Sequence, residues 1–248
     1  MAMPDESADR QVVILAPMPL EMHAIVTAFG LSPVSDAKGG PWTGRVGHSD
    51  VTAIHIGMGP PLTRVATSRL FDPTVPDHVP VDHVMIAGIC GGLDREIEVG
   101  TLINPDIIIE YTSGATYRHR PPGDAPQAGK LMTTEEATLD SVLSQRFLEQ
   151  GCLGVDMESS AVAEICEAQG CPWSVYRCIG DRYFDGLLDP RIVAATNPDG
   201  SGNTAEIGRL IAAEPELAVR LERLSHDTTL AARRAAEAAV RGCIALDA

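Results

Sequence analysis

Apolar positions in the 248-residue chain fall into short runs, each closed by glycine or proline, and the period changes from run to run. Residues 11–17 (QVVILAP) are β-branched, continuous and closed by proline, which predicts a strand buried on both faces. Leu20, His23, Ala24 and Ala28 repeat with helical spacing over 20–29, and Gly30 is a stop. A weaker strand over 51–56 runs into the turn Gly57-Met58-Gly59-Pro60, followed by a helix over 62–70. Residues 83–87 form another apolar strand, ending in Gly88-Ile89-Cys90-Gly91-Gly92, and 101–110 form one more around Ile107-Ile108-Ile109. The glycines and prolines of 112–130 predict a loop that covers a site. Beyond it the pattern gives a strand at 130–133, a helix over 139–150, a strand at 153–156, a helix over 159–169 stopped by Gly170 and Pro172, and a strand over 173–179 leading into Gly180-Asp181. From Asn203 onward the chain reads as helix, with Pro215 opening a second segment whose apolar face carries Leu217, Leu221 and Leu224.

Strands alternating with helices predict an α/β fold whose central sheet is covered on both faces, with ligand bound beyond the strand ends. The expected organisation is a polar tail over 1–10 and one domain over 11–248, with C-terminal helices from about 204.

Composition narrows the function. Nineteen Lys and Arg against 34 Asp and Glu leave a net charge of −15, which repels nucleic-acid backbones, so no nucleic-acid partner is expected. No apolar run approaches the roughly 20 residues of a membrane helix. Residues 1–10 carry Asp5, Glu6 and Asp9 and no apolar centre, so no secretory leader is expected. The six cysteines form no CxxC pair and several sit in apolar stretches, the pattern of reduced thiols in a cytoplasmic protein without structural zinc.

Three acidic residues stand at predicted strand ends: Glu21 after the first strand, Glu158 after the strand ending at Asp156, and Asp181 after the strand ending at Ile179. Each alone has a plain structural alternative as a helix-start carboxylate or a turn residue. Each lies where a doubly covered sheet opens to ligand, and their joint placement is more informative than any one of them. The Gly88–Gly92 turn lets backbone approach a ligand closely, but it has neither the GxGxxG form nor a P-loop lysine. Cys90 lacks a nearby histidine, and Ser159-Ser160 lies outside any nucleophile-elbow pattern.

Four segments in this order, VVILAPMPLEMHAI (12–25), IHIGMGP (54–60), VMIAGICGGLDREIEVGTLI (84–103) and GVDMESSAVAEICEAQGCPWSVYRCIGD (154–181), resemble the purine nucleoside phosphorylase/nucleosidase superfamily. Within it the chain looks most like the 5′-methylthioadenosine/S-adenosylhomocysteine nucleosidases. The resemblance implies a three-layer α/β/α sandwich around a mixed, partly barrel-like sheet, a purine nucleoside substrate, no metal or organic cofactor, and a homodimer. It implies Asp181 as the acid at purine N7, Glu158 on the ribose hydroxyls with Met157 beneath the sugar, and Glu21 on the attacking water. It also implies that Ile89, Cys90 and Gly91 line the substrate. Phosphorylases of the family carry a phosphate-gripping loop after the first strand, where this chain has Glu21, so hydrolysis is expected; Arg45 and Arg64 are the candidate phosphate ligands for the alternative. A nucleoside-binding protein without turnover is the third reading. Ile89 replaces a small hydroxyl residue common in nucleosidases, and the stretch between Glu110 and Met157 is short, leaving 130–138 to supply the base-binding strand. That short middle and the tail over 214–236 look somewhat like adenosylhopane-cleaving nucleosidases.

Overall fold

A computed structural model describes residues 10–35, 40–75, 78, 80–123, 127 and 129–247. The tail expected over 1–10 lies outside the described residues except for Arg10, which opens the first strand.

The fold is one mixed sheet of 11 strands with helices on both faces. Strand β1 (Arg10–Ala16) pairs in parallel with β4 (Ser49–His55) on one side and with the first half of β5 (His83–Gly92) on the other. The second half of β5 turns to meet antiparallel β10 (Cys152–Asp156) at Gly91 and Gly92, while β11 (Trp173–Arg182) runs parallel along its other edge. From β4 the sheet continues through β3 (Trp42–Val46) to β2 (Ser32–Pro33). From β10 it continues through β9 (Lys130–Thr133) and β7 (Ile107–Glu110) to β8 (Thr116–Arg118), and β6 (Leu102–Ile103) borders β11. The sheet thus branches at β5 and does not close into a barrel.

Residue alternation in β1 explains the layering. Val12, Ile14 and Ala16 pack against α1 (Pro19–Phe29) and α7 (Glu216–Ala245), through Ile25, Phe29, Ala236 and Ala239. Val13 and Leu15 face the opposite layer, with Val162, Ala163 and Cys166 of α4 (Ser159–Gln169) and Ala66 of α2 (Pro60–Arg69). A smaller cluster joins Phe147 of α3 (Ser141–Glu149) to Met132 and Cys152. The last part of the chain adds α5 (Pro190–Ala194) and α6 (Thr204–Ala213) before α7.

The structure differs from the sequence pattern in four respects. The strand expected over 101–110 is two, because Asn104-Pro105-Asp106 interrupts it and sends β6 to β11 and β7 to β9. The loop expected over 112–130 contains β8, held as a hairpin on β7. β5 and β11 each run to ten residues, past their glycines, because both are interior strands with partners on two sides. β2, β3 and α5 carry too few apolar positions to show as a period.

Candidate active site

All seven candidate residues line one cavity of about 170 Å³: Glu21, Ile89, Cys90, Gly91, Met157, Glu158 and Asp181. Glu21 sits in the first turn of α1, where its Oε2 accepts the Met18 backbone N–H at 2.8 Å and so closes the helix start. Met157 and Glu158 occupy the link between β10 and α4, with Glu158 at the N-cap. Ile89, Cys90 and Gly91 lie on the second half of β5.

The residue that organises them is Arg177, on β11 and only 1% exposed. Its Nη1 reaches Glu21 Oε1 at 3.3 Å, and its Nη2 reaches Glu158 Oε2 at 2.8 Å and Asp156 Oδ2 at 2.9 Å. Its Nε donates to Asp156 Oδ2 at 3.0 Å. Sequence reasoning passed over Arg177 and Asp156. The signal was present: an arginine inside WSVYRCI, a strand otherwise fit for full burial, has to find carboxylates in the interior. Burial works against the Arg177 charge, but Asp156, Glu158 and Glu21 outweigh it and hold the guanidinium charged.

With all three carboxyls ionised, one cation leaves the cluster negative. Burial is the main cause that pushes the Glu21 carboxyl up to about 7; Arg177 opposes this and Glu158 adds to it. Glu158 is raised for the same reason, with Arg177 opposing and Asp156 reinforcing, while its Oε1 accepts the Gly59 N–H at 2.8 Å.

Asp181 is different. It sits inside β11 rather than after it, at a bulge where the pairing with β5 slips between Ile179 and Asp181. A bulge re-aims a side chain, and here it turns Asp181 into the cavity. No hydrogen bond reaches its carboxylate among the described residues. Burial raises it to about 6, with a smaller push from Asp185.

Glycine is required where the acids meet the sheet. A Cβ on Gly88 would collide with Glu21 Oε1 and lie 2.7 Å from Arg177 Nη1. Ile89 takes part through its backbone: its N–H donates to Glu21 Oε1 at 2.7 Å and its carbonyl accepts from Arg177 at 3.3 Å. Its side chain packs with Cys178, Ala231 and Ala235, across Gly180. Burial pushes the Cys90 thiol well above its usual range, which does not suit a nucleophile. Arg45 and Arg64 do not line the cavity; they pair with Asp50 at 3.7 Å and Glu164 at 2.8 Å.

Elsewhere the lining is mostly apolar, with Pro17, Met18, Met58, Ala137 and Leu188, and Thr134 and Thr138 add hydroxyls. The loop over 196–202 holds the two methionine turns in place. Pro198 O accepts the Met58 N–H at 2.8 Å, and His55 Nε2 lies 3.2 Å from Pro17 O and 2.8 Å from Asp199 O.

Chemically, the cavity offers two carboxyl groups poised near neutral pH, a buried third that accepts hydrogen bonds, and a negative field that favours developing positive charge. Among the described residues no cluster of three or more His, Cys, Asp or Glu is arranged to hold a metal ion.

Comparisons with known proteins agree with this architecture. A curated 5′-methylthioadenosine/S-adenosylhomocysteine nucleosidase of Staphylococcus epidermidis is 21% identical over 56% of this chain and 72% of its own. A crystal structure of Helicobacter pylori 5′-methylthioadenosine/S-adenosylhomocysteine nucleosidase, complexed with a substituted pyrrolidin-3-ol, superposes with a TM-score of 0.67 at 15% identity, covering 95% of this chain and 98% of that one. The futalosine hydrolase of Helicobacter pylori superposes with a TM-score of 0.65 at 14% identity, covering 96% and 97%. A family model described as the phosphorylase superfamily matches residues 11–213, and the chain belongs to that superfamily.

Proposed function

We propose that this protein is a nucleosidase that hydrolyses the N-glycosidic bond of a purine nucleoside of adenosine type. The reading is carried by the convergence of Glu21, Glu158 and Asp181 on one cavity. Cleaving an N-glycosidic bond leaves an oxocarbenium-like sugar and an anionic purine. Asp181, raised to about 6 by burial, delivers a proton to N7 of the leaving base. Glu158 accepts the ribose hydroxyls, Met157 lies beneath the sugar, and the cluster's negative charge favours the cationic ring. Glu21, raised to about 7, takes a proton from the attacking water. The relatives named above, two nucleosidases and a hydrolase, support this assignment.

Phosphorolysis is disfavoured by one feature. The charged side chains lining the cavity among the described residues are Glu21, Asp156, Glu158 and Asp181, and the adjacent cation, Arg177, is shared by three of them. A phosphate dianion would meet carboxylates and no uncommitted donor cation. The test is release of free base from a panel of purine nucleosides, with and without phosphate. We expect equal release in both. Dependence on phosphate would make the protein a phosphorylase, and tight binding without release would make it a nucleoside-binding protein.

The assembly we propose is a homodimer. Leu62 and Val65 of α2, Tyr111 after β7 and Val142 of α3 are large apolar side chains left exposed, the kind of surface a second subunit covers. Sedimentation equilibrium at micromolar protein checks it. No helix of the described residues is long and apolar enough to cross a membrane, and the six cysteines are all buried and free, which fits the cytoplasmic placement we propose.

A further inference from the structure

We propose that Asp156 is a positioning residue: it holds the Arg177 guanidinium in plane and draws part of its charge away from Glu21 and Glu158. The kinetic part of this inference rests on the nucleosidase reading given above.

Asp156 borders the cavity, yet its oxygens are committed to the protein. Oδ1 accepts the Thr133 hydroxyl at 2.7 Å. Oδ2 accepts the Ser159 N–H at 3.0 Å, the Ser159 hydroxyl, and Arg177 through both Nε and Nη2. A carboxylate has about four acceptor sites, so Asp156 has little capacity left for a substrate. It acts through Arg177.

The geometry of the fork shows how. A guanidinium is planar, with its five N–H bonds in fixed directions. Asp156 takes the Nε–Nη2 edge, and this sets the rotation of the plane. Nη1 then points between Glu21 Oε1 and the Ile89 carbonyl, both at 3.3 Å, and Nη2 also reaches Glu158 Oε2 at 2.8 Å. Thr133 on β9 and Ser159 on α4 fix Asp156 itself, so the placement of Arg177 is set by three elements at once.

Charge gives the second half. Glu21 interacts with Arg177 and Glu158, Asp156 is bonded to the same Arg177, and Cys90 and Asp181 are the other titratable groups on the cavity wall. With Asp156 ionised, one positive charge serves three carboxylates. Asparagine at this position keeps the size and one acceptor oxygen but not the charge. The guanidinium then serves two carboxylates, and both hold their ionised forms to lower pH.

Two readouts separate positioning from mere structure. In a ¹³C NMR titration of the side-chain carboxyls, Asp156→Asn should move the Glu21 titration down by about one unit; an unmoved titration in a folded variant overturns the charge role. In steady-state kinetics on the best purine nucleoside, Asp156→Asn should lower kcat about 10–100-fold while KM changes only a few-fold. Unchanged kcat, or a loss seen only in KM, overturns the positioning role. Should Asp156→Asn fail to fold, Ser159→Ala loosens Asp156 without removing a charge. It should lower kcat by about three-fold or more at unchanged KM, and wild-type kcat in that variant overturns the proposal. Failure of the nucleosidase reading is distinguishable, because wild-type protein would then release no base from any nucleoside while the NMR titration still decides the role of Asp156.

Discussion

The two acidic walls of the cavity reach similar ends by different physics. On one wall Glu21, Asp156 and Glu158 share a buried guanidinium, and every carboxylate has protein donors. On the other, Asp181 has no hydrogen-bond partner among the described residues and is raised chiefly by burial. A partnered carboxylate is fixed in place and aimed in one direction. An unpartnered one is free to bond whatever enters the cavity. The crowded wall is built to hold a geometry, and the bare wall is built to meet a ligand atom.

The sharpest test of that contrast removes one function from each wall. Asp181→Asn should lower kcat on a purine nucleoside by about 10²–10⁴-fold, the range for loss of a general acid. The loss should be much smaller on a p-nitrophenyl riboside, whose leaving group departs without a proton. Glu21→Gln should be impaired on both substrates, because water still has to be activated. Equal losses for Asp181→Asn on both substrates would remove the acid role and the contrast with it.

The next largest effect belongs to the packing of the crowded wall. Gly88→Ala would push a methyl into Glu21 Oε1 and to within 2.7 Å of Arg177 Nη1. These side chains are held by their network and have nowhere to retreat, so a loss of about 1–3 kcal/mol in stability is expected. Gly91→Ala, whose added methyl would be 3.3 Å from Val155 Cγ1 and 3.8 Å from Asp181 Oδ2, should cost clearly less. Paired thermal melts check the ordering.

Acid–base behaviour follows from both walls together. Activity needs Asp181 protonated, which is lost above about 6, and Glu21 ionised, which is gained above about 7. The two requirements overlap narrowly, so kcat/KM against pH should be a narrow bell with its maximum between those values. A flat profile from pH 5 to 8 would break the pairing of roles.

How much of this was legible beforehand depends on where the signal lay. Glu21, Glu158 and Asp181 could be named because polar groups at the ends of apolar runs stand out against the period. The main strands and helices were legible for the same reason, since Val12 to Ala16 alternate cleanly between two layers. Arg177 was hidden in the middle of a strand, where only the rule against an unpaired buried charge exposes it. Asp156 reads as a strand end and not as a partner, because its link to Arg177 spans 21 residues and exists only after β10 and β11 fold. The bulge at Asp181 is a register event between strands, and no single-strand pattern encodes it. β3 follows from pairing with β4, and β2 from pairing with β3, and neither from its own composition.

The smallest effect is also the one that runs against activity. Asp181 has a folded-state carboxyl raised from 3.8 to about 6, so the folded protein binds its proton more tightly than the unfolded chain does. The group therefore imposes no penalty below about pH 4, and stability is lost as pH rises toward and through 6. Asp181→Asn removes the titration and loses no hydrogen bond among the described residues. Discounted for partial exposure to the cavity, the variant should be more stable than wild type by about 1–2 kcal/mol at pH 8, and the gain should vanish near pH 4. On the crowded wall the same exchange should behave otherwise. Glu21→Gln removes a raised carboxylate too, but its amide cannot accept both the Met18 and the Ile89 N–H that Glu21 accepts at 2.8 and 2.7 Å. Denaturant melts of both variants at pH 4 and pH 8 should show stabilisation for the bare wall alone. A matching gain in Glu21→Gln would mean that the network contributes nothing to holding its carboxylate.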